Sequence, residues 1–187
     1  MVKEREMYMQ EIVLETNNLT KKYKDFVALD SASITIHKGD IYGLIGRNGA
    51  GKTTLMKLVT TLTTKSGGSF SLFGNEGELT ESKRRIGCLI ESPAFFENLT
   101  AYQNLKYYSI QKGIVNEKQI NKVLKVVDLY KDKNKKFKKF SLGMKQRLGI
   151  AFAILDNPDF IILDEPINGL DPIGIKAVSY THLTLPT

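Results

Sequence analysis

The sequence is poor in the residues that build disulfides and metal sites. Its 187 residues include one cysteine and two histidines. A lone cysteine, Cys88, excludes an internal disulfide and is typical of a protein in a reducing compartment. One cysteine and two histidines are also too few to assemble a zinc site or a catalytic thiol site.

Long apolar runs are absent as well. No stretch approaches the ~18 consecutive apolar residues of a membrane span. The N-terminal residues 1–6 are largely charged and lack the apolar core of a signal peptide. Hydrophobic residues nevertheless make up 42% of the chain, which suffices for a substantial core. We therefore expect one cytosolic enzyme domain, or one domain with a small insertion.

Positive charge is concentrated in one short segment. Residues 131–139 hold six lysines and one aspartate, and so carry +5 of the net charge of +7. A lysine run between two helical patterns is most often a solvated connector, with contact to anionic lipid or nucleic acid as the alternatives. Only Phe137 and Phe140 interleave these lysines, and two aromatic residues do not make a base-stacking platform. We therefore do not expect a nucleic-acid partner.

A glycine-rich segment has the composition of a phosphate-binding P-loop. Its glycines let the backbone curl until successive N–H groups face a phosphate chain. Lys52 can reach the β- and γ-phosphates, and the Thr53 hydroxyl can ligate Mg²⁺. Residues 41–45 predict a strand before the loop and residues 52–61 a helix after it, whose N-terminal end favours an anion. The predicted phosphate-binding residues are Gly46, Arg47, Asn48, Gly49, Ala50, Gly51, Lys52, Thr53 and Thr54.

Strand and helix patterns along the chain predict an α/β fold with a helical insertion. Apolar runs predict strands at residues 11–16, 32–37, 41–45, 69–73, 86–90 and 160–163. Helical periodicity follows Lys52, Thr100, Asn116 and Ser141. The last three are residue types that commonly cap helix N-termini, and Gly113 is suited to end the helix that Thr100 begins.

Two carboxylates follow the last predicted strand. The four apolar residues 160–163 predict a buried parallel strand, and ligands of open α/β sheets bind at the carboxyl ends of such strands. Asp164, in the Walker B position, suits contact with Mg²⁺, and Glu165 is placed to polarise a water that attacks a γ-phosphate. The alternative is a buried strand followed by an acidic turn. The P-loop earlier in the chain favours the catalytic interpretation.

The residues between these two motifs resemble the signature of the ATP-binding cassette (ABC) ATPases. They read Phe-Ser-Leu-Gly-Met-Lys-Gln-Arg, in which Ser141 and Gly143 keep the core of the signature. Leu142 and Met144 depart from its usual glycine and glutamine. In this family the signature contacts the ATP held by the opposite subunit of a dimer, and the resemblance implies that role for Ser141 and Gly143.

The resemblance extends over residues 11–178 and implies the architecture of a P-loop NTPase. The expected parts are a mainly parallel core sheet, an N-terminal antiparallel β-subdomain and a helical subdomain at residues 93–155. Tyr23 resembles the family's adenine-stacking residue, in an expected loop at residues 19–23. Asp171 resembles the D-loop aspartate near the dimer interface.

Glu91 points to a subfamily. Most ABC ATPases have a glutamine here that touches Mg²⁺ and the attacking water. A glutamate in this place, together with the variant signature, is similar to the exporters for bacitracin resistance and lantibiotic self-immunity. Residues 93–99, which follow it, would contact a coupling helix of the membrane domain. The alternative is that Glu91 is a solvated loop residue.

The resemblance implies the nucleotide-binding subunit of a bacterial ABC exporter. It would bind ATP and Mg²⁺ and hydrolyse ATP as a head-to-tail dimer at the cytoplasmic face of the membrane. That hydrolysis would drive export of an antimicrobial peptide or drug through separate permease subunits. The alternative is a non-transport ABC ATPase acting on the ribosome or nucleic acid. The Glu91 segment favours transport.

The last residues do not continue the pattern. Asp171 and Pro172 predict the start of a helix, but residues 179–187 include three threonines and Pro186, which continue a helix poorly. This string resembles translated adapter sequence. We therefore expect a chain truncated at its C-terminus, with a non-native tail at residues 179–187 and without the family's switch histidine. The 187-residue chain alone is then expected to bind nucleotide weakly and to hydrolyse it negligibly.

Overall fold

The structure, a computed structural model, describes residues 11–76, 79–91, 94–113 and 116–166. The chain divides into two compact units, residues 1–83 and 84–187. The predicted helix at Asp171 and the expected tail at residues 179–187 lie outside the described residues. Across the described ranges, no helix has the length and apolar composition needed to cross a membrane.

An antiparallel sheet of three strands forms most of the first unit. Strands β1 (Ile12–Tyr23) and β2 (Phe26–His37) pair as a long hairpin, and β3 (Gly67–Leu72) pairs with the other edge of β1. The order is therefore β2-β1-β3. The predicted N-terminal antiparallel subdomain is confirmed, although β1 and β2 are about twice as long as the predicted strands at residues 11–16 and 32–37.

A bulge explains why the predicted first strand was too short. The pairing of β1 with β2 shifts register between Thr16 and Leu19, and Asn18 has a left-handed backbone there. The Thr16 hydroxyl donates to the carbonyl of Ala32 (3.0 Å) and accepts from the amide of Ile34 (3.0 Å). Polar residues at this bulge interrupt the apolar pattern in the sequence, while the side chain of Thr16 keeps the two strands joined.

Two shorter elements complete the first unit. Helix α1 (Lys52–Val59) buries Leu55, Leu58 and Val59, as its periodicity predicts. It ends two residues earlier than predicted, where the Thr60 hydroxyl donates to the carbonyl of Met56 (2.7 Å). Leu62 lies beyond the helix and is exposed. Helix α2 (Thr80–Arg84) follows β3 in the chain, and the boundary between the units falls within it, after Lys83.

The strand predicted at residues 41–45 is wrong. These residues have no regular secondary structure, and Ile45 is 97% exposed. An apolar, β-prone run becomes a strand only where neighbouring strands accept its backbone hydrogen bonds and cover its side chains. Within the described residues, the two sheets consist of β1 to β3 and of a separate parallel pair, and neither pairs with residues 41–45.

The second unit contains that parallel pair. Strand β4 (Ile86–Leu89) lies beside β5 (Phe160–Leu163) in register from one end to the other. Helix α5 (Leu142–Ala153) packs closely against β4: a Cβ atom added to Gly87 would lie 1.9 Å from the carbonyl oxygen of Ala153. The predicted parallel arrangement is confirmed, but only two of its strands lie in the described residues.

Helices α3 (Ala101–Gln111) and α4 (Glu117–Val126), together with α5, form the helical insertion, and the predicted caps are confirmed. Helix α3 begins with a reciprocal capping box between Thr100 and Gln103, and Gly113 ends it in a left-handed conformation. Helix α4 begins at Asn116, whose side chain accepts from the amide of Gln119 (3.1 Å). The apolar stripe predicted on α4 is buried and comprises Ile120, Val123, Leu124 and Val127.

Candidate nucleotide-binding site

The predicted P-loop forms a tight turn before α1. Gly49 and Gly51 have φ values of +83° and +85°, a region that other residues rarely adopt. Gly51 is also closely covered, because a Cβ atom there would lie 2.6 Å from the carbonyl oxygen of Ala28. The amide of Ala50 donates to the carbonyl of Arg47 (3.1 Å) and closes the turn. Gly49 is therefore favoured by its backbone conformation, and Gly51 is required by both conformation and space.

The side chain of Lys52 lies within this loop. Its Nζ donates to the carbonyl oxygens of Gly46 (2.7 Å) and Arg47 (3.0 Å). An ammonium group has three donors, so these two bonds leave capacity for a phosphate oxygen. The loop therefore holds a positive charge at the centre of its curve, where a phosphate chain would be bound.

The start of α1 adds backbone donors to the same place. Gly51 is its N-cap and supplies no side-chain acceptor, and the first turn contains no acidic residue. The first N–H groups of a helix have no partner within the helix, and its dipole favours an anion at this end. Thr53 and Thr54 lie half-buried in this turn. The hydroxyl of Thr53 is thus on the element that would hold the phosphates.

In the second unit, carboxylates gather at the carboxyl ends of the two parallel strands. Leu89 and Leu163 are paired at the ends of β4 and β5, and the amide of Asp164 donates to the carbonyl of Leu89 (2.9 Å). Neighbouring strands run about 4.8 Å apart. Glu91 and Glu165 therefore follow adjacent strands at equivalent positions. The structure brings the predicted residues Glu91, Asp164 and Glu165 to one edge.

Both glutamates have an uncommon backbone. The φ values are +64° at Glu91 and +45° at Glu165, in the left-handed region that residues with a Cβ adopt infrequently. Such conformations cost free energy and concentrate at functional sites, where the surrounding structure maintains them. After each strand, the chain therefore turns at the glutamate for which the sequence predicts a metal-binding or catalytic role.

The donor set fits Mg²⁺ better than a metal held by protein alone. Within the described ranges, no group of three or more histidine, cysteine, aspartate or glutamate side chains could hold a metal ion. Mg²⁺ is usually bound through one or two carboxylates, with phosphate and water oxygens completing its octahedron. Asp164 and Glu91 could supply such carboxylates. The cysteine on β4 is unsuited to the task, because burial raises the pKa of the Cys88 thiol and keeps it protonated.

The signature residue Ser141 caps helix α5, as predicted. Its hydroxyl accepts from the amide of Met144 (3.3 Å) and the side chain is exposed. Leu142, where the family usually has glycine, is 71% exposed at the start of the helix. Gly143 lies half-buried in the first turn. The variant signature thus presents a helix N-terminus and an exposed hydroxyl, which suit contact with a phosphate group.

Tyr23 lies at the end of a strand rather than in the predicted loop. Residues 19–23 continue β1, so the loop expected there is wrong. The ring of Tyr23 is half-exposed, and the Nζ of Lys21 lies 4.7 Å from its centroid. Its contact with adenine stays a prediction, as does the role of Asp171, which lies outside the described residues.

Asn104 organises the segment after Glu91, and the sequence analysis missed it. This residue of α3 is fully buried, and its side-chain oxygen accepts from the amide of Phe96 (2.8 Å). Its side-chain nitrogen donates to the carbonyls of Phe96 (3.1 Å), Thr100 (3.0 Å) and Leu99 (3.4 Å). A polar, weak helix former in the middle of a helical pattern was the available signal. Residues 96–100 are thereby fixed to the helical subdomain.

The local geometry defines a P-loop NTPase. A glycine loop that encloses a lysine and leads into a helix is the arrangement that cradles nucleotide phosphates. Carboxylates that follow parallel strands are the second feature of this class. The first unit contains the glycine loop, and the second unit contains the carboxylates. Both features were predicted from contiguous motifs.

Comparison with known proteins names the family within this class. Residues 29–168 match the ABC transporter family, and the chain belongs to it. It is 47% identical over 174 residues to the bacitracin transport ATP-binding protein BcrA of Enterococcus faecalis, covering 92% of this chain and 56% of that protein. It is 45% identical to the lantibiotic transport ATP-binding protein SrtF of Streptococcus pyogenes, covering 88% and 71% of the two chains.

Solved structures of ATP-binding cassette proteins have a similar fold. The ATP-binding cassette MJ0796, determined as a dimer in a post-hydrolysis state with ADP and Pi, superposes with a TM-score of 0.79 at 26% identity over 90% of this chain and 82% of that one. The cbiO1 protein of Clostridium perfringens, part of the complex cbiONQ, gives a TM-score of 0.78 at 25% identity over 93% and 75%. The chain spans little more than half the length of BcrA.

Proposed function

We propose that the intact protein is the nucleotide-binding subunit of a bacterial ABC exporter, which binds and hydrolyses MgATP as a head-to-tail dimer. The P-loop closed around Lys52 carries this proposal, because a loop of that form has few uses other than holding phosphates. The carboxylates after β4 and β5 and the similarity to transport ATP-binding proteins support it.

Each residue has a role in the proposed reaction. Lys52 and the amides at the start of α1 bind and orient the phosphates. Glu165 accepts a hydrogen bond from the attacking water and takes up its proton. Thr53 and Asp164 would hold Mg²⁺, which would supply positive charge to offset that of the phosphates. Ser141 and Gly143 contact the γ-phosphate on the partner subunit, which explains why a hydroxyl-capped helix start is kept exposed.

The proposed cargo is an antimicrobial peptide of the bacitracin or lantibiotic type. Relatives named for transport of both compounds are 45–47% identical to this chain. The chain would act through permease subunits and reside at the cytoplasmic face of the membrane. Action on the ribosome or on nucleic acid, the alternative, has no supporting relative among these proteins.

Growth of cells in the presence of bacitracin or a lantibiotic tests the proposed export. Bacteria that lack the gene for the intact protein should become more sensitive, and sensitivity should return to normal when the wild-type gene is restored. Restoration by the Glu165→Gln form should fail, because export requires hydrolysis. Equal resistance with the wild-type and the Glu165→Gln genes would contradict ATP-driven export of these compounds.

Glu91 gives a prediction specific to this subfamily. The Glu91→Gln protein should keep its affinity for ATP, because the P-loop carries most phosphate contacts. It should lose part of the stimulation of ATPase activity by the permease, since an amide binds Mg²⁺ more weakly and donates a hydrogen bond that a carboxylate cannot. The measurement is ATPase activity with and without permease in reconstituted vesicles. Unchanged stimulation and unchanged resistance would remove Glu91 from the site.

A further inference from the structure

The lysine-rich residues 131–139 are not the loose connector that their composition favours. Backbone hydrogen bonds join them to the residues just before α3 and to the first turn of α3. The amide of Phe137 donates to Leu99 (2.9 Å) and that of Lys138 to Glu97 (3.0 Å), while the amide of Tyr102 donates to Lys133 (3.0 Å). The lysines are therefore displayed from an ordered backbone within the second unit.

Phe137 of this segment and Phe140, which follows it directly, are turned toward the interior. Phe140 is 6% exposed, and Phe137 packs against the buried core cluster with its ring 5.1 Å from that of Phe95. Neither ring is available to stack on a nucleotide base. The Nζ of Lys133 lies 4.4 Å from the ring of Tyr130, and that of Lys145 lies 5.2 Å from the ring of Phe137. The rings thus hold the segment against the rest of the unit, and the groups that it exposes to solvent are mainly lysine ammonium groups.

Most of that charge is uncompensated. Among the described residues, the one ion pair that a lysine of this segment forms joins Lys135 to Asp132, with Nζ and Oδ1 3.8 Å apart. Lys138 donates to the neutral side chain of Asn98 (3.0 Å). Lys131, Lys136 and Lys139 are exposed, and none has a side-chain hydrogen bond or ion pair to another described residue. We call residues 131–139 the basic segment.

We propose that the basic segment binds the anionic phospholipid headgroups of the membrane. A row of exposed lysines without an aromatic platform matches a surface of mobile phosphate charges, which attracts each lysine without a fixed geometry. The neighbouring Phe96 and Tyr107 are 45% and 39% exposed, and their rings meet edge to face with centroids 4.8 Å apart. Aromatic residues beside lysines are typical of membrane interfaces. Lys138 and Asn98 join the two parts of this surface.

The location of the basic segment supports a membrane over other polyanions. It is hydrogen-bonded to residues 97, 99 and 102, and the first two belong to residues 93–99, the segment expected to contact a coupling helix of the membrane domain. That contact would place the lysines on the side of the protein that faces the membrane. This step rests on the proposed function, whereas binding of lipid by isolated protein does not.

Sedimentation with lipid vesicles tests the proposal. The intact protein should bind vesicles of phosphatidylcholine mixed with phosphatidylglycerol and should not bind phosphatidylcholine alone. Replacing Lys131, Lys136 and Lys139 together with glutamine should weaken that binding about 100-fold, at about five-fold per lysine. At ~1 M salt, where the Debye length is ~3 Å, the wild-type protein should also dissociate.

A matched control removes the same charge elsewhere. Lys83, Lys118 and Lys122 are exposed lysines outside the basic segment, and their triple glutamine variant should bind vesicles nearly as well as wild type. Equal loss in both variants, or no preference for phosphatidylglycerol, would overturn the proposal. The proposal would also be overturned if the protein bound duplex DNA more tightly than vesicles and the triple variant at Lys131, Lys136 and Lys139 abolished that DNA binding. ATP binding by that variant should stay normal, which distinguishes a specific loss of lipid binding from a loss of the fold. Failure of the wild-type protein to bind MgATP would instead contradict the proposed function.

Discussion

Replacing Glu165 with glutamine should reduce the rate of ATP hydrolysis by the intact protein about 10²–10⁴-fold, the usual contribution of a general base. Glutamine has nearly the same shape and can still contact a water, but it cannot accept that water's proton. ATP binding should persist, because Lys52 and the amides of α1 are unchanged. The measurements are steady-state phosphate release and the amount of unhydrolysed ATP that remains with the protein after gel filtration.

The control for this substitution is Glu76→Gln, which makes the same chemical change at an exposed residue of the first unit. It should hydrolyse ATP at the wild-type rate. If Glu165→Gln also turned over ATP normally, the base would be another group, and the left-handed backbone at Glu165 would need a different explanation.

Replacing Lys52 with alanine should remove most MgATP binding. A hydrogen bond to a charged group contributes about 1.5–3 kcal/mol, so loss of a single phosphate contact weakens binding by at least about ten-fold, and two contacts by more than 100-fold. The substitution also removes the bonds from Nζ to the carbonyls of Gly46 and Arg47, which hold the loop closed. Isothermal titration with MgATP under conditions that prevent turnover measures the change.

Lys83→Ala is the matched control, since it removes one exposed lysine from the same unit without touching the loop. Its affinity should equal that of wild type. A Lys52→Ala protein that bound MgATP with wild-type affinity, and that melted at the wild-type temperature, would show that the P-loop lysine does not hold the phosphates.

Local signals in the sequence predicted local structure well. Thr100, Asn116 and Ser141 cap their helices as expected, because a cap depends on one side chain and an amide three residues later. The apolar stripe of α4 is buried for a similar reason, since its period alone selects one face.

Predictions that needed distant partners were less successful. Residues 41–45 have strand composition but no pairing strand in the described part of the chain. β1 continues through a bulge that Thr16 bridges to the other strand, which no local pattern could indicate. Asn104 was missed because its value lies in four hydrogen bonds to a segment that precedes its own helix.

In the candidate site, too, local features could be predicted and long-range arrangements could not. The P-loop was predicted residue by residue, since a run of nine residues contains its whole chemistry. The meeting of Glu91 with Asp164 and Glu165 at one sheet edge depends on the register of β4 with β5, which only the structure gives.

The most direct test of the proposed ATP-driven dimer is the mass of the intact Glu165→Gln protein in solution with MgATP, measured by light scattering during gel filtration. The account predicts a dimer that holds two ATP molecules, and a monomer when ATP is omitted or when Lys52→Ala is added to the same protein. A protein that binds ATP and stays monomeric would contradict the shared site in which Ser141 of one subunit contacts the nucleotide of the other.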